Sequence, residues 1–257
     1  MIERYISAVV HGPPGVGKTR LANTMPGPRL ALDSEGGSYD LPCEIIEWDI
    51  MNEDIDAIIP ELGWENAKNT TVVVDIRDWD TYRKAMDYIL KGDHPFNSVI
   101  LDSLTEIQTQ LREKLNPQQG IGDDFERNTY GVFDQLLVHL ERDVRAMRDM
   151  ARPTAKKRCN SCIVTLSDTE VLPRKPLLVG ALRKRMPQFV DMEIYLTVVR
   201  DGNGNKRRSG QIEGNEMAEA KCRPDKINAM YPSGIIYDPN FRKIIKALNT
   251  EENNNNG

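Results

Sequence analysis

Residues 5–20 read YISAVVHGPPGVGKTR, an apolar, β-branched run that empties into a glycine-rich loop and then a helix. The spacing from Gly12 to Thr19 is that of the phosphate-binding loop, GxxxxGK[ST]. Gly12, Gly15 and Gly17 let the backbone close around an anion, whereas Pro13 and Pro14 carry no N–H and cannot donate to one. The cradle therefore falls to the amides of Gly15, Val16, Gly17, Lys18 and Thr19, at the positive N-terminal end of the new helix. In such a loop the lysine, here Lys18, reaches the β- and γ-phosphates, and the hydroxyl, here Thr19, ligates Mg2+. A nucleoside triphosphate is thus expected to be bound by Gly12, Gly15, Val16, Gly17, Lys18, Thr19 and Arg20.

A chain of 257 residues with 39% apolar content has enough material for one large α/β domain with a proper core. Its net charge of −5 and pI near 5.4 supply no bulk positive field, so any polyanion site must be a local basic patch. No charged-then-apolar leader opens the chain and no apolar run approaches bilayer length, so a soluble cytoplasmic protein without membrane contact is expected. Cys43, Cys159, Cys162 and Cys222 are too sparse for a secreted disulfide framework. Cys159-Asn-Ser-Cys162 has the spacing of half a zinc site, but the chain offers no second pair to complete it.

Taken in order, the pattern predicts a short helix at 21–24 broken by Pro26-Gly27-Pro28, and strands at 29–32, 44–48 and 70–76. A helix interrupted by Pro60 is expected at 54–62, and a sheet-covering helix at 79–90, ended by Gly92. An apolar strand at 97–101 leads to a helix at 104–115, a loop at 120–124 and a long amphipathic helix at 130–150. In that helix Phe133, Leu136, Leu137, Leu140, Val144 and Met147 fall on one stripe. Further strands are expected at 161–166 and 192–199, followed by the turn Asp-Gly-Asn-Gly-Asn at 201–205, a return strand from 206, and a short strand at 219–223. Asp238-Pro239 begins a last helix with Phe241, Ile244, Ile245 and Leu248 on one face. The ATPase-type domain is expected to fill residues 1–249, with a polar, disordered tail at 250–257.

Several stretches carry chemistry beside the loop. Asp33-Ser34-Glu35-Gly36-Gly37 ends the second strand, where open α/β sheets place ligands, although a plain turn uses the same residues. Asp102 closes an apolar strand downstream of the P-loop, the Walker B arrangement that holds Mg2+, and the alternative is a helix cap. Arg174, Lys175, Arg183, Lys184 and Arg185 lie among Pro173, Pro176, Gly180 and Pro187, which reads as a mobile basic loop with some helix and the best local polyanion site.

With the P-loop, Asp33-Ser34-Glu35-Gly36 and Asp102-Ser103 in view, the chain resembles a RecA-type ATPase core. More narrowly it resembles the small RecA-like ATPases of phage recombination, single-strand-annealing proteins reduced to that core, over residues 3–248 and mostly through the first hundred. The resemblance implies a mostly parallel sheet flanked by helices with a C-terminal antiparallel hairpin, and ATP with Mg2+ as cofactors. It makes Glu35 the carboxylate that orients the attacking water, and Thr19 and Asp102 the metal side. Ser167 stands where relatives often carry Gln or His to sense the γ-phosphate and move a DNA loop. Lys221-Cys222-Arg223 resembles the Lys-x-Lys/Arg pair that reaches the nucleotide of a neighbouring subunit. Implied partners are single-stranded DNA, a single-strand-binding protein and further copies of the chain in a ring or filament, in the cytoplasm of a phage host. Two other classes also use a P-loop. One is a small-molecule or nucleoside kinase, for which Arg183 to Arg185 would be a lid, and the other is a nucleotide-gated adaptor or helicase loader.

Overall fold

The computed structural model describes residues 3–61, 63–115 and 129–250, so the loop expected at 120–124 and the tail at 251–257 lie outside the described residues. Five strands carry the nucleotide end of the sheet: β1 (Ser7–Gly12), β2 (Arg29–Asp33), β3 (Glu44–Glu47), β4 (Thr70–Asp75) and β5 (Ser98–Asp102). Then come β6 (Asn160–Asp168), β7 (Lys175–Pro176), β8 (Met192–Arg200), β9 (Lys206–Gln211), β10 (Lys221–Cys222) and β11 (Ile235–Tyr237). The spatial order is β11-β9-β8-β1-β6-β5-β2-β4-β3, with β10 paired to β8 and β7 to β6. From β3 to β8 every pairing along this path is parallel, while β9, β10 and β11 pair antiparallel. The expected α/β architecture with its C-terminal hairpin is therefore present.

A parallel sheet must be covered on both faces, which is why β1, β2 and β5 are buried along their whole length. Successive side chains feed two different cores: Val9 packs with one, Ala8 and Val10 with the other. The first core is closed by α2 (Trp79–Lys91), α3 (Leu104–Leu115), α4 (Thr129–Met150) and α5 (Gly180–Phe189). The second lies under α1 (Lys18–Ala22), α6 (Asp225–Met230) and α7 (Phe241–Asn249). Helix ends follow local chemistry. Asp78 caps α2 by accepting from the Thr81 amide at 2.8 Å, and Gly92 ends it in the left-handed region at φ 71°.

Local pattern and structure part in three places. The helix expected at 54–62 is a single 3-10 turn, Ile55–Ile58, stopped before Pro60, which cannot donate the next bond. On the α4 stripe Leu136, Leu140, Val144 and Met147 are buried and Leu137 half-buried, while Phe133, which precedes the packed length of the helix, is 40% exposed. The last helix starts at Phe241 and is capped by Asn240, not begun by Asp238-Pro239. Asp238, at φ 47°, instead points its carboxylate at the β9 hairpin. Among the described residues no helix is long and apolar enough to cross a membrane.

Candidate active site

The register brings the C-terminal ends of four strands to one lip: Gly12 lies opposite Leu166, Asp102 opposite Val164, and Asp33 opposite Asp102. Strand β6 separates the P-loop strand from the Asp102 strand, which opens a crevice between them. Over this lip the loop turns through Gly15 at φ 73° and Gly17 at φ 95°, and Gly17 caps α1. Gly12 must also be glycine, because a Cβ there would lie 2.3 Å from the Leu196 carbonyl oxygen of β8. Lys18 is 8% exposed and folds back over its own loop, its Nζ donating to the carbonyls of Gly12 (3.1 Å) and Pro13 (3.0 Å). Burial lowers its pKa, and Glu35 and Asp102 oppose that shift. Thr19 is half-buried at the crevice, whereas Arg20 is exposed in the last turn of α1.

One residue of the P-loop wall carries no motif in the sequence. Arg208, on β9, donates from Nε to the Val16 carbonyl at 3.1 Å. A Cβ on Gly17 would meet this guanidinium at 2.5 Å and displace it, while the left-handed turn at Gly17 favours glycine on its own account. Arg208 thereby adds a second cation to the P-loop wall from the same chain. In the sequence it is one residue of the return strand expected from 206, with no motif to mark it.

The acidic group beside the loop sorts itself by hydrogen bonding. Asp33, 1% exposed, accepts from the amides of Glu35 (3.0 Å), Gly36 (2.8 Å) and Ser38 (2.7 Å), so both its oxygens are committed to building the turn. Glu35, which that turn projects, is exposed, and its Oε1 accepts from the Ser103 hydroxyl. Ser34 and Ser103 stitch β2 to β5, the Ser34 amide donating to the Asp102 carbonyl at 2.7 Å and the Ser103 amide to the Ser34 hydroxyl at 3.0 Å. Asp102 is 2% exposed, lies near enough to the Thr19 hydroxyl to be influenced by it, and leaves Oδ2 with no partner. Burial pushes its pKa up to about 7, Thr19 and Lys18 opposing and Asp33 and Glu35 adding to the rise. A buried, orphaned carboxylate oxygen next to a hydroxyl on the phosphate loop is a donor set that suits a hard divalent cation, so Thr19 and Asp102 fit Mg2+.

Ser167, at the end of β6, is 6% exposed, and its Oγ lies 2.9 Å from His11 Nδ1. The other ring nitrogen of His11 lies 2.9 Å from the Glu219 carbonyl and 3.8 Å from Glu193 Oε1. Glu193 is 1% exposed, both its carboxylate oxygens lack hydrogen-bond partners, and burial pushes its pKa up to about 7 from an ordinary 4.5. An acid so raised holds its proton more tightly in the native chain than in the unfolded one. Native stability therefore falls as pH rises through the interval between those two values. Glu193→Gln removes that dependence. In urea denaturation the stability of the variant relative to its parent should rise by about 3 kcal/mol from pH 4 to pH 8, at about 1.36 kcal/mol per unit. A difference that is flat with pH would show that Glu193 is not a buried acid of this kind.

The basic stretch after Asp168 is corrected. It is not a loop: Leu182, Met186 and Phe189 form a buried stripe that seats α5 against α4, and β7 pairs back onto Ser167 and Asp168. Arg183 pairs with Asp168 at 3.3 Å, Arg185 with Glu141 at 2.7 Å and Lys175 with Glu219 at 2.9 Å. Arg174 bridges to Ala218, and Lys184 is exposed on α5. Lys221 and Arg223 do share one face, but within their own chain they donate to the carbonyls of Pro187 and Gln188 at the end of α5. There the helix dipole favours cations. Strand β10 pairs with the first residues of β8, at the end of the sheet opposite the P-loop. Cys159 and Cys162 are both buried in different cores on opposite faces of the sheet, so the two thiols do not converge on one ion.

The P-loop, the Thr19–Asp102 pair and the crevice carboxylate agree with one family. The model of the AAA domain matches residues 4–224. The chain belongs to the AAA domain family. It is an α/β P-loop ATPase with ATP and Mg2+ as its cofactors. A search among curated proteins finds no match. Among solved structures, this AAA ATPase is similar to a prototypical ATPase from the type III secretion system of pathogenic bacteria. The two are 17% identical with a TM-score of 0.39, over 76% of this chain and 52% of that one. It is also similar to the assembled ATPase EscN, in complex with its central stalk EscO, from the enteropathogenic E. coli type III secretion system. Here identity is 18% and the TM-score 0.39, over 77% of this chain and 43% of that one. The chain thus spans about half the length of these two proteins.

Proposed function

We propose that this AAA ATPase couples ATP hydrolysis to the binding of single-stranded DNA, in recombination, annealing or replication. The observation that carries the hydrolytic half is the division of labour between Asp33 and Glu35. Asp33 is locked into the turn by three amides, and Glu35 is left with a carboxylate at the crevice, oriented by Ser103. A positioned carboxylate takes a proton from attacking water, which a kinase does not need. Lys18, already in the loop mouth, meets the charge that gathers on the terminal phosphate. Thr19 and Asp102 are the residues that would hold Mg2+, which would supply positive charge to the phosphate oxygens.

The DNA half rests on continuity. Strand β7 pairs with Ser167 and Asp168 and leads within a few residues to α5, so a shift at the crevice lip is passed to the face carrying Arg183, Lys184 and Arg185. Arg183 is held to Asp168 at the end of β6 and Arg185 to Glu141 on α4, which disfavours the kinase-lid reading. Assembly into a ring or filament belongs to the same proposal. Lys221 and Arg223 would have to release the α5 carbonyls to reach a neighbour's nucleotide, and the basic helix would feel that release.

The test is ATP turnover with and without single-stranded DNA, together with the salt dependence of DNA binding. Turnover should rise with DNA. In Arg183→Ala/Lys184→Ala/Arg185→Ala the slope of log K against log salt should flatten by about 0.7 per lost phosphate contact. Turnover indifferent to DNA, with an unchanged slope, would move the assignment to the adaptor or loader reading.

A further inference from the structure

Away from the crevice, at the N-terminal ends of β2 and β5, the chain closes around a pocket of about 580 Å3, a size that suits a small ligand. Its floor is fixed. The carbonyls of Pro26, Gly27 and Pro28 accept from the Ser98 hydroxyl (2.6 Å), the Asn97 side-chain amide (2.8 Å) and the Asn97 backbone amide (2.8 Å). That floor follows directly on α1, and Arg29 Nε donates at 3.1 Å to the side chain of Asn23, the C-cap of that helix, so the pocket is stitched to the element that opens at the P-loop. Pro26, Pro28 and Pro95 supply apolar wall. With them stands Trp64, half-buried and in T-shaped contact with Phe96, their ring centroids 5.5 Å apart.

Lys68 and Arg242 also line the pocket, and both are exposed. Neither forms an ion pair with a carboxylate among the described residues, in contrast to Arg183, Arg185 and Lys175. Arg242 donates to the Lys68 carbonyl at 3.4 Å, which leaves most of its N–H fork unused. Behind Gly27 lies a third cation, Arg29, which is 0% exposed and has no hydrogen-bond partner for Nη2. Its Nη1 would be 3.1 Å from a Cβ on Gly27. Burial lowers the pKa of Arg29, Cys43 opposing that shift and Arg242 adding to it. Glu65 is the acid of the lining, and its carboxylate lies against Gly63. A plain anion would not need the indole and the prolines, and a neutral apolar ligand would not need the cations. A planar ring that carries a phosphate uses both, the ring against Trp64 and the phosphate oxygens on a guanidinium and an ammonium. We propose that this pocket is a second nucleotide site, with a nucleobase against Trp64 and its phosphate between Lys68 and Arg242. The ligand is a free mononucleotide or the terminal nucleotide of a strand, which share this chemistry. The site lies at the end of the sheet opposite the P-loop and rests on neither the reading of Glu35 nor any coupling of hydrolysis to DNA.

The test uses the whole chain carrying Lys18→Ala, which weakens the P-loop site, with AMP and a 5′-phosphorylated oligothymidylate as probes. The chain has three tryptophans, of which Trp48 and Trp79 are buried, so Trp64 is the fluorophore a ligand can reach. AMP should quench its emission saturably, and Trp64→Phe should remove the response. In calorimetry, Lys68→Gln/Arg242→Gln should weaken AMP binding about tenfold or more, the scale of lost charge-assisted hydrogen bonds. Trp64→Ala should cost about tenfold as well, the scale of one base–aromatic stack. Lys68 and Arg242 are exposed, so in a chain that keeps Lys18 their double variant should retain the parental circular dichroism spectrum, Tm and basal ATP turnover. Three results would each overturn the proposal: no saturable quenching by either probe, unchanged AMP affinity in Lys68→Gln/Arg242→Gln, or displacement of AMP by an equal concentration of inorganic phosphate. Tighter binding of AMP than of the oligonucleotide would identify a free nucleotide as the occupant, and the reverse order a strand terminus. Failure of Glu35→Gln to slow hydrolysis, or of DNA to stimulate it, leaves these outcomes untouched.

Discussion

Lys18→Ala is expected to lose productive ATP hydrolysis, by about 10²- to 10³-fold or more, the scale of removing one preorganised charge from a developing oxyanion. The ammonium lies in the loop mouth with two carbonyls as its acceptors, buried enough that its field is poorly screened. Phosphate oxygens are stronger acceptors than those carbonyls, so the side chain is placed to exchange one set for the other with little movement. Alanine removes that charge without touching the features that shape the loop. Gly15 and Gly17 keep their positive φ, and Arg208 keeps its bond to the Val16 carbonyl. The variant should therefore fold with an unchanged circular dichroism spectrum and bind nucleotide weakly. Steady-state turnover is the deciding measurement, and a rate near that of the parent would remove the P-loop from the mechanism.

Glu35→Gln should behave differently. Its kcat should fall by about 10²-fold or more, the contribution of a positioned base, with nucleotide affinity retained. The structure explains the separation. Glu35 is exposed, its carboxylate touches the rest of the crevice through the Ser103 hydroxyl, and only its backbone amide bonds within the turn that carries it. An amide oxygen can still accept from Ser103, so the substitution removes basicity and leaves the geometry. Asp33→Asn is the control that fails in the opposite way. It exchanges a carboxylate serving three amides for a group with one acceptor oxygen, so it should cost stability, read as a lower Tm, as well as rate. If Glu35→Gln turned over ATP like its parent, the water would have to be activated elsewhere.

Much of this site was legible before any tertiary structure. The P-loop is local: a strand, three glycines, a lysine and a threonine within one turn of chain determine both a backbone shape and an anion preference. The mostly parallel sheet flanked by helices was implied by the resemblance to a RecA-type core, and β1, β2 and β5 are buried along their whole length, as such a sheet requires. Asp102 could be assigned because a carboxylate ending such a strand has few other uses once a P-loop is present. Glu35 was named from the resemblance to a RecA-type core, and the local pattern by itself could not separate it from Asp33 or from a plain turn. That choice lies in which carboxylate the Gly36 and Ser38 amides fold onto.

The other decisions were made by contacts between residues far apart in the chain. Arg208 meets Val16 across 192 residues because the C-terminal hairpin lies alongside β8 and so reaches the P-loop. His11 meets Ser167 across 156 residues because β6 lies next to β1 in a register that puts both on one face. The same distance effect changed one local reading and qualified another. A basic, proline-rich run looked like a mobile loop with some helix until the stripe of Leu182, Met186 and Phe189 found α4, and within one chain Lys221 and Arg223 are held to the carbonyls at the end of α5. Local sequence determines which backbone shapes and charges each segment can offer. Strand register, which depends on how the whole sheet packs, determines which of those charges meet.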